Sequence, residues 1–155
     1  MKLLTGIDFL YGNHKNHTAI IGYKGQLYGI EKTVDEVLMI LCEANGRHVS
    51  GSKLLFAKAT QGHQKLGVLV DPDKEEIFFP THASMNHLCV WVNYGRIHSV
   101  HSFENSHCRI LFKSGHEIEV SCTIRSVRGQ MKRCRMVLNS LGNPYEMMNV
   151  TLIEE

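Results

Sequence analysis

The hydrophobic positions of this chain change their period three times. Thr18–Tyr23 and residues 26–31 are short apolar and β-branched runs around Lys24-Gly25, which predicts two strands joined by a tight turn. At Thr33 the pattern turns helical. Thr33-Val34-Asp35-Glu36 reads as a capping box, with Thr at the N-cap and Glu three residues on. Val34, Val37, Leu38, Leu41 and Cys42 follow at helical spacing, and Gly46 supplies a stop. Residues 51–60, GSKLLFAKAT, predict a short second helix entered from Ser52.

Strand-like alternation then returns. Residues 66–70 and 75–79 flank Asp71-Pro72-Asp73-Lys74, whose Asp-Pro favours a turn. Residues 88–93 and 97–103 flank Tyr94-Gly95-Arg96. Residues 108–112 and 116–122 form the best-defined hairpin, because a three-residue loop with Gly115 left-handed sets its register. That register puts Ile110 opposite Ile118 and Cys108 opposite Val120 on the apolar side. Arg109 then stands opposite Glu119 on the other side.

The last change of period begins at Ile124. Ile124, Val127, Met131, Cys134 and Leu138 are spaced 3, 4, 3, 4, and Arg125, Arg128, Lys132 and Arg135 repeat that spacing one residue on. At about 100° per residue the two sets occupy adjacent arcs of one helix over 124–138. Gly142-Asn143-Pro144 is its expected end. The elements together predict an α+β fold, a mainly antiparallel sheet with two or three helices, in a single domain over 1–155.

Composition narrows the class. No apolar run approaches the roughly 18 residues of a membrane span, and the N-terminal apolar run is too short for a signal peptide. Five cysteines without a CxxC pair fit a reducing compartment, so the expected location is the cytoplasm.

Charge changes the picture more. The formal net charge is +2, yet no acid occurs between Val120 and Tyr145, a window holding Arg125, Arg128, Lys132, Arg133 and Arg135. Without these five the remainder carries −3. A solvated helix face usually mixes its signs. An unmixed one on an otherwise acidic body points to an anionic partner.

Chemistry concentrates in residues 78–92, FFPTHASMNHLCVWV. A nucleophilic cysteine needs a base and a stabilised thiolate. Cys89 sits in LCVWV, apolar on both faces, which describes a buried strand. Ser84 lacks the G-x-S-x-G turn. Zinc wants converging, closely spaced pairs. His98 and His101 are three apart on a strand and point to opposite faces unless a bulge intervenes. His14/His17 and His82/His87 have no Cys pair nearby, and Cys108 and Cys122 read as core. Neither an enzyme nor a metal or cofactor site is expected. Structurally, Pro80 ends one strand, THASMNH is a turn, and residues 88–92 are a central strand carrying Trp91.

The same stretch resembles the competence transcription factor family, ComK, of Gram-positive bacteria. The shared pattern F-P-T-x-[AS]-S-x4-C-x-W-[VI] is carried by Phe79, Pro80, Thr81, Ala83, Ser84, Cys89, Trp91 and Val92. Val70-Asp71-Pro72, Gly51-Ser52 with Lys58-Ala59, Phe112 with Gly115, and Ser126, Gln130 and Arg133 match further family motifs in the same order, over about residues 51–138.

The resemblance implies a transcription activator of DNA-uptake genes, without enzymatic activity or cofactor. It would bind AT-rich double-stranded DNA through the minor groove as a homo-oligomer associated with the nucleoid. It also implies that residues 78–92 are a scaffold element with a DNA-facing turn at 81–87. The expected phosphate contacts are Arg125, Arg128, Lys132, Arg133 and Arg135, with Lys53, Lys58 and Lys65 as a second set.

The family's members carry a longer basic tail with an aromatic motif used by a proteolysis adaptor. This chain ends in acidic NPYEMMNVTLIEE without it, and Leu54, Leu55 and Phe56 replace smaller residues. The alternative reading is therefore a DNA-binding-deficient paralogue, or a protein–protein module that docks its basic helix on an acidic partner.

Overall fold

The computed structural model describes residues 5–13, 15, 17–141 and 153. In chain order its elements are β1 (Phe9–Asn13), β2 (Thr18–Tyr23), β3 (Gln26–Ile30), α1 (Val34–Ala44), α2 (Val49–Thr60), β4 (Val68–Asp71), β5 (Glu76–Pro80), β6 (Val90–Asn93), β7 (Ile97–Phe103), β8 (His107–Phe112), β9 (Glu117–Val120) and α3 (Ile124–Leu141). The strands make two antiparallel sheets, ordered β3-β2-β1-β6-β5-β4 and β7-β8-β9. The fold is α+β, as the alternation of periods predicts.

Side chains alternate across the larger sheet and feed two cores. One face carries Leu10, Ile21, Val68, Val70, Phe78 and Trp91 against Val37, Leu38, Leu41 and Cys42 of α1. The other carries Phe9, Leu69, Ile77, Phe79 and Val92. It meets Phe56 of α2, Val127, Cys134 and Val137 of α3, and the inner face of the smaller sheet. The result is three layers, with the six-stranded sheet in the middle.

Local signals explain most boundaries. Lys24 and Gly25 both have positive φ, +49° and +78°, the two-residue turn whose twist suits a hairpin. The capping box at α1 is complete: Thr33 Oγ1 accepts from Glu36 N, and Glu36 Oε1 accepts from Thr33 N, both at 3.2 Å. The helix ends where Gly46 turns left-handed. Arg47 N reaches back to Cys42 O at 2.8 Å and Gly46 N to Glu43 O at 3.1 Å. In the β8–β9 hairpin Gly115 has φ +90°, and Cys108, Arg109 and Ile110 stand opposite Val120, Glu119 and Ile118, the predicted register. The charges pair diagonally instead. Arg109 lies 3.9 Å from Glu117, and His107 lies 3.6 Å from Glu119.

Two expectations are corrected. The second helix begins at Val49, not Ser52. Ser52 is buried and donates to Leu69 O at 2.8 Å, satisfying a carbonyl of edge strand β4 that has no strand neighbour on that side. Strand β1 is an addition, a strand the periodicity does not signal: it stands in the middle of the large sheet, and its sequence FLYGN does not alternate. Residues 88–93 and 97–103 are not partners. The 3-10 turn Tyr94–Arg96 carries the chain from one sheet into the other.

Buried Asp8 fixes that crossing, accepting from Arg96 Nε at 3.2 Å and from Ser114 Oγ at 2.6 Å. Helix α3 covers the predicted span and continues to Leu141, which packs on the core as Leu138 does. Its expected stop at Gly142-Asn143-Pro144 lies outside the described residues. Among the described residues no helix is long and apolar enough to cross a membrane.

Candidate nucleic-acid interface

Helix α3 starts where Thr123 Oγ1 accepts from Ser126 N at 3.1 Å, an N-cap bond that satisfies one otherwise orphaned donor. Val127, Gln130, Cys134 and Val137 are buried, which turns Arg125, Arg128, Gly129, Lys132 and Met136 to solvent. The basic stripe divides at this point. Arg125, Arg128 and Lys132 project outward and make no ion pair among the described residues. The other two cations lie on the helix flanks and are held by the body.

Arg133 is half-buried. It donates to Gln130 Oε1 at 2.8 Å and to Gln64 O at 3.2 and 3.3 Å, and its guanidinium lies 5.0 Å from the Phe56 ring centre. Burial pulls its pKa below the ordinary arginine value. Arg135 binds Tyr94 Oη at 3.1 Å and forms an ion pair with Glu75. These partners, Tyr94 first, stabilise its charged form.

Of the second set, Lys53 lies 5.8 Å over the Trp91 ring. Lys65 is half-exposed at φ +50° in the loop after α2, and Lys58 is exposed in the last turn of α2. Two open clefts adjoin through Lys65. One runs from Lys53, His63 and Gln64 past Pro80 and Ser84 to Trp91. The other runs from Lys65 and Thr123 along Arg125, Ser126, Gly129 and Arg133. The structure thus gathers Lys53, Lys65, Arg125 and Arg133 around neighbouring clefts, with Arg128 and Lys132 on the adjoining ridge. Lys58 lines neither cleft, and Arg135 faces a separate one with Lys74 and Lys113.

Residues 78–92 hold this arrangement together. Gln130, 3% exposed, donates from Nε2 to Pro80 O at 2.9 Å and to Lys65 O at 3.0 Å. Thr81 Oγ1 accepts from Val90 N at 2.9 Å and meets His82 Nδ1 at 2.7 Å. His82 Nε2 lies 3.1 Å from Ser121 O, which can only accept, so Nε2 carries a proton and, in the neutral ring, Nδ1 accepts from Thr81 Oγ1. The turn is thereby tied to the residues that launch α3. Its tip, from Ala83 to Leu88, is exposed.

Cys89 is no activated nucleophile. Its thiol donates to His82 O at 3.3 Å, and burial pushes its pKa up. The β7 bulge between Ile97 and Ser99 does bring His98 and His101 to one hydroxyl, Ser99 Oγ, at 3.4 and 3.2 Å. No third ligand joins them among the described residues.

Burial raises the pKa of all five thiols, that of Cys122 to about 11. An unfolded thiol ionises near its ordinary value of 9.0. Between these values the unfolded chain therefore binds fewer protons than the folded one, and stability falls as pH rises. Chemical unfolding followed from pH 8 to 11 in reductant is expected to show that decline, and Cys122→Ser is expected to reduce it.

The model of the ComK protein family matches residues 9–143. The chain belongs to the ComK family. No curated protein and no solved structure matches it. The family match begins well before residue 51, where the recognisable motifs begin, and takes in all of the six-stranded sheet. Membership makes the chain a competence-related transcription regulator. It also gives the family motifs a physical sense here: Phe79-Pro80-Thr81 and Ser126…Gln130…Arg133 are two sides of one contact, closed by Gln130 on Pro80 O.

Proposed function

We propose that this ComK-family chain regulates transcription by binding AT-rich double-stranded DNA as a homo-oligomer in the cytoplasm, on the nucleoid. The observation that carries the reading is the outward face of α3. Arg125, Arg128 and Lys132 stand there without an anionic partner among the described residues, beside clefts that add Lys53 and Lys65.

Cations so placed neutralise phosphates and release counterions. A narrow A-tract minor groove concentrates negative potential, which draws such side chains in. Minor-groove edges separate A·T from G·C and little more, so specificity needs repeated boxes and a symmetric assembly. Arg133 and Arg135 serve this surface mainly by fixing α3 on the body.

The test is fluorescence anisotropy on two duplexes, one with paired A-tract and T-tract boxes and one GC-rich, at several salt concentrations. Tighter binding to the AT-rich duplex is expected, with log K falling by about 3 or more per decade of salt. Equal, weak binding to both duplexes would overturn the reading in favour of docking on an acidic protein.

A further inference from the structure

We propose that the cleft beside Gly129 is the seat of one backbone phosphate, an inference that rests on the DNA-binding reading above. Most other glycines are explained by the chain itself. Gly6, Gly25, Gly46 and Gly115 have positive φ, and a Cβ on Gly22, Gly62, Gly67 or Gly95 would collide with Phe9, Arg133, Phe56 or Glu75. Gly29, Gly51 and Gly129 have neither reason, and of these three only Gly129 lines one of the cationic clefts described above. It lies inside α3 with helical φ, and a Cβ there would meet nothing within 4 Å. A helix interior disfavours glycine, so this position weakens the helix with no return from the fold.

What surrounds Gly129 is cationic. Arg125, Arg128, Lys132 and Arg133 are its neighbours one turn away or adjacent on the helix. Lys65, Thr123 and Ser126 complete an open cleft of about 410 Å³ with Arg125 and Arg133. The N–H of Gly129 belongs to the intrahelical ladder and is no donor. The glycine therefore supplies clearance. A phosphodiester can lie against bare helix backbone while guanidinium, ammonium and hydroxyl groups reach it from the rim.

The seat is tested on the full chain with Gly129→Ala and Gly129→Gln. Both restore helix propensity without changing charge, so the melting temperature is expected to rise by roughly 2–4 °C. Affinity for the A-tract duplex is expected to move the other way, several-fold down for Gly129→Ala and tenfold or more for Gly129→Gln. Duplexes neutralised at one phosphate by methylphosphonate locate the contact. The parent protein is expected to lose affinity at one backbone position where Gly129→Gln loses none. A folded Gly129→Gln that binds within twofold of the parent sinks the seat alone. A parent that binds no duplex sinks the DNA-binding reading and the seat with it.

Discussion

Replacing Arg128 and Lys132 together by alanine is expected to weaken binding to AT-rich duplex about 30-fold at 0.15 M salt. Counterion release sets the size of that loss. Each phosphate contact contributes about 0.9 to the slope of log K against log salt, so two lost contacts flatten that slope by about 2. The deficit shrinks toward nothing near 1 M salt, where released counterions give no advantage. Both side chains are exposed and unpaired among the described residues, so the melting temperature is expected to stay close to the parent's. If two subunits share a site, each contributes its own loss. Anisotropy titrations across salt measure both slope and affinity, and an unchanged slope would remove this face of α3 from the DNA interface.

Gln130→Leu is expected to act on stability, lowering it by about 2–5 kcal/mol. Leucine fills similar space but leaves Pro80 O and Lys65 O without their donor and frees the Arg133 guanidinium from Oε1. An abandoned buried acceptor costs about 1–3 kcal/mol; Pro80 O bears that in full and the part-buried Lys65 O somewhat less, which gives the stated range. Gln130→Glu is expected to be worse, because it points a carboxylate at two carbonyl oxygens. Urea unfolding gives the comparison. A leucine variant within 1 kcal/mol of the parent would mean that the clamp is dispensable and that another contact holds α3 to the turn.

Much of the fold was legible because short-range signals agreed. At β8–β9 the alternation, the glycine turn and the apolar register all point to the same pairing. At α1 the capping box and the period-3.6 run coincide. Legibility fails where long-range contacts decide. FLYGN becomes central only because β2 and β6 pair with it on either side. Tyr94-Gly95-Arg96 looks like any hairpin turn, and it takes buried Asp8, far away in sequence, to make it a crossing between sheets.

The candidate site was legible as a stripe but not as two populations. Arg133 falls outside the 3, 4, 3 spacing of the stripe, but nothing in the spacing distinguishes Arg135 from Arg125, Arg128 and Lys132. What sets Arg133 and Arg135 apart is Gln64, Phe56, Glu75 and Tyr94, brought to the helix flanks by other elements. Gly129 went unread for a related reason. A lone glycine in a helix looks like a flaw until its surroundings show that the chain has no use for the missing side chain.

The position of Trp91 makes the protein its own optical reporter. It is the only tryptophan, 3% exposed, with its ring in the cleft wall beneath Lys53 and beside Pro80 and Ser84. Indole emission responds to nearby charge and to water. Anything that draws the Lys53 ammonium away, or dries that cleft, is recorded by a fluorophore already in place, with no label attached to a surface under study.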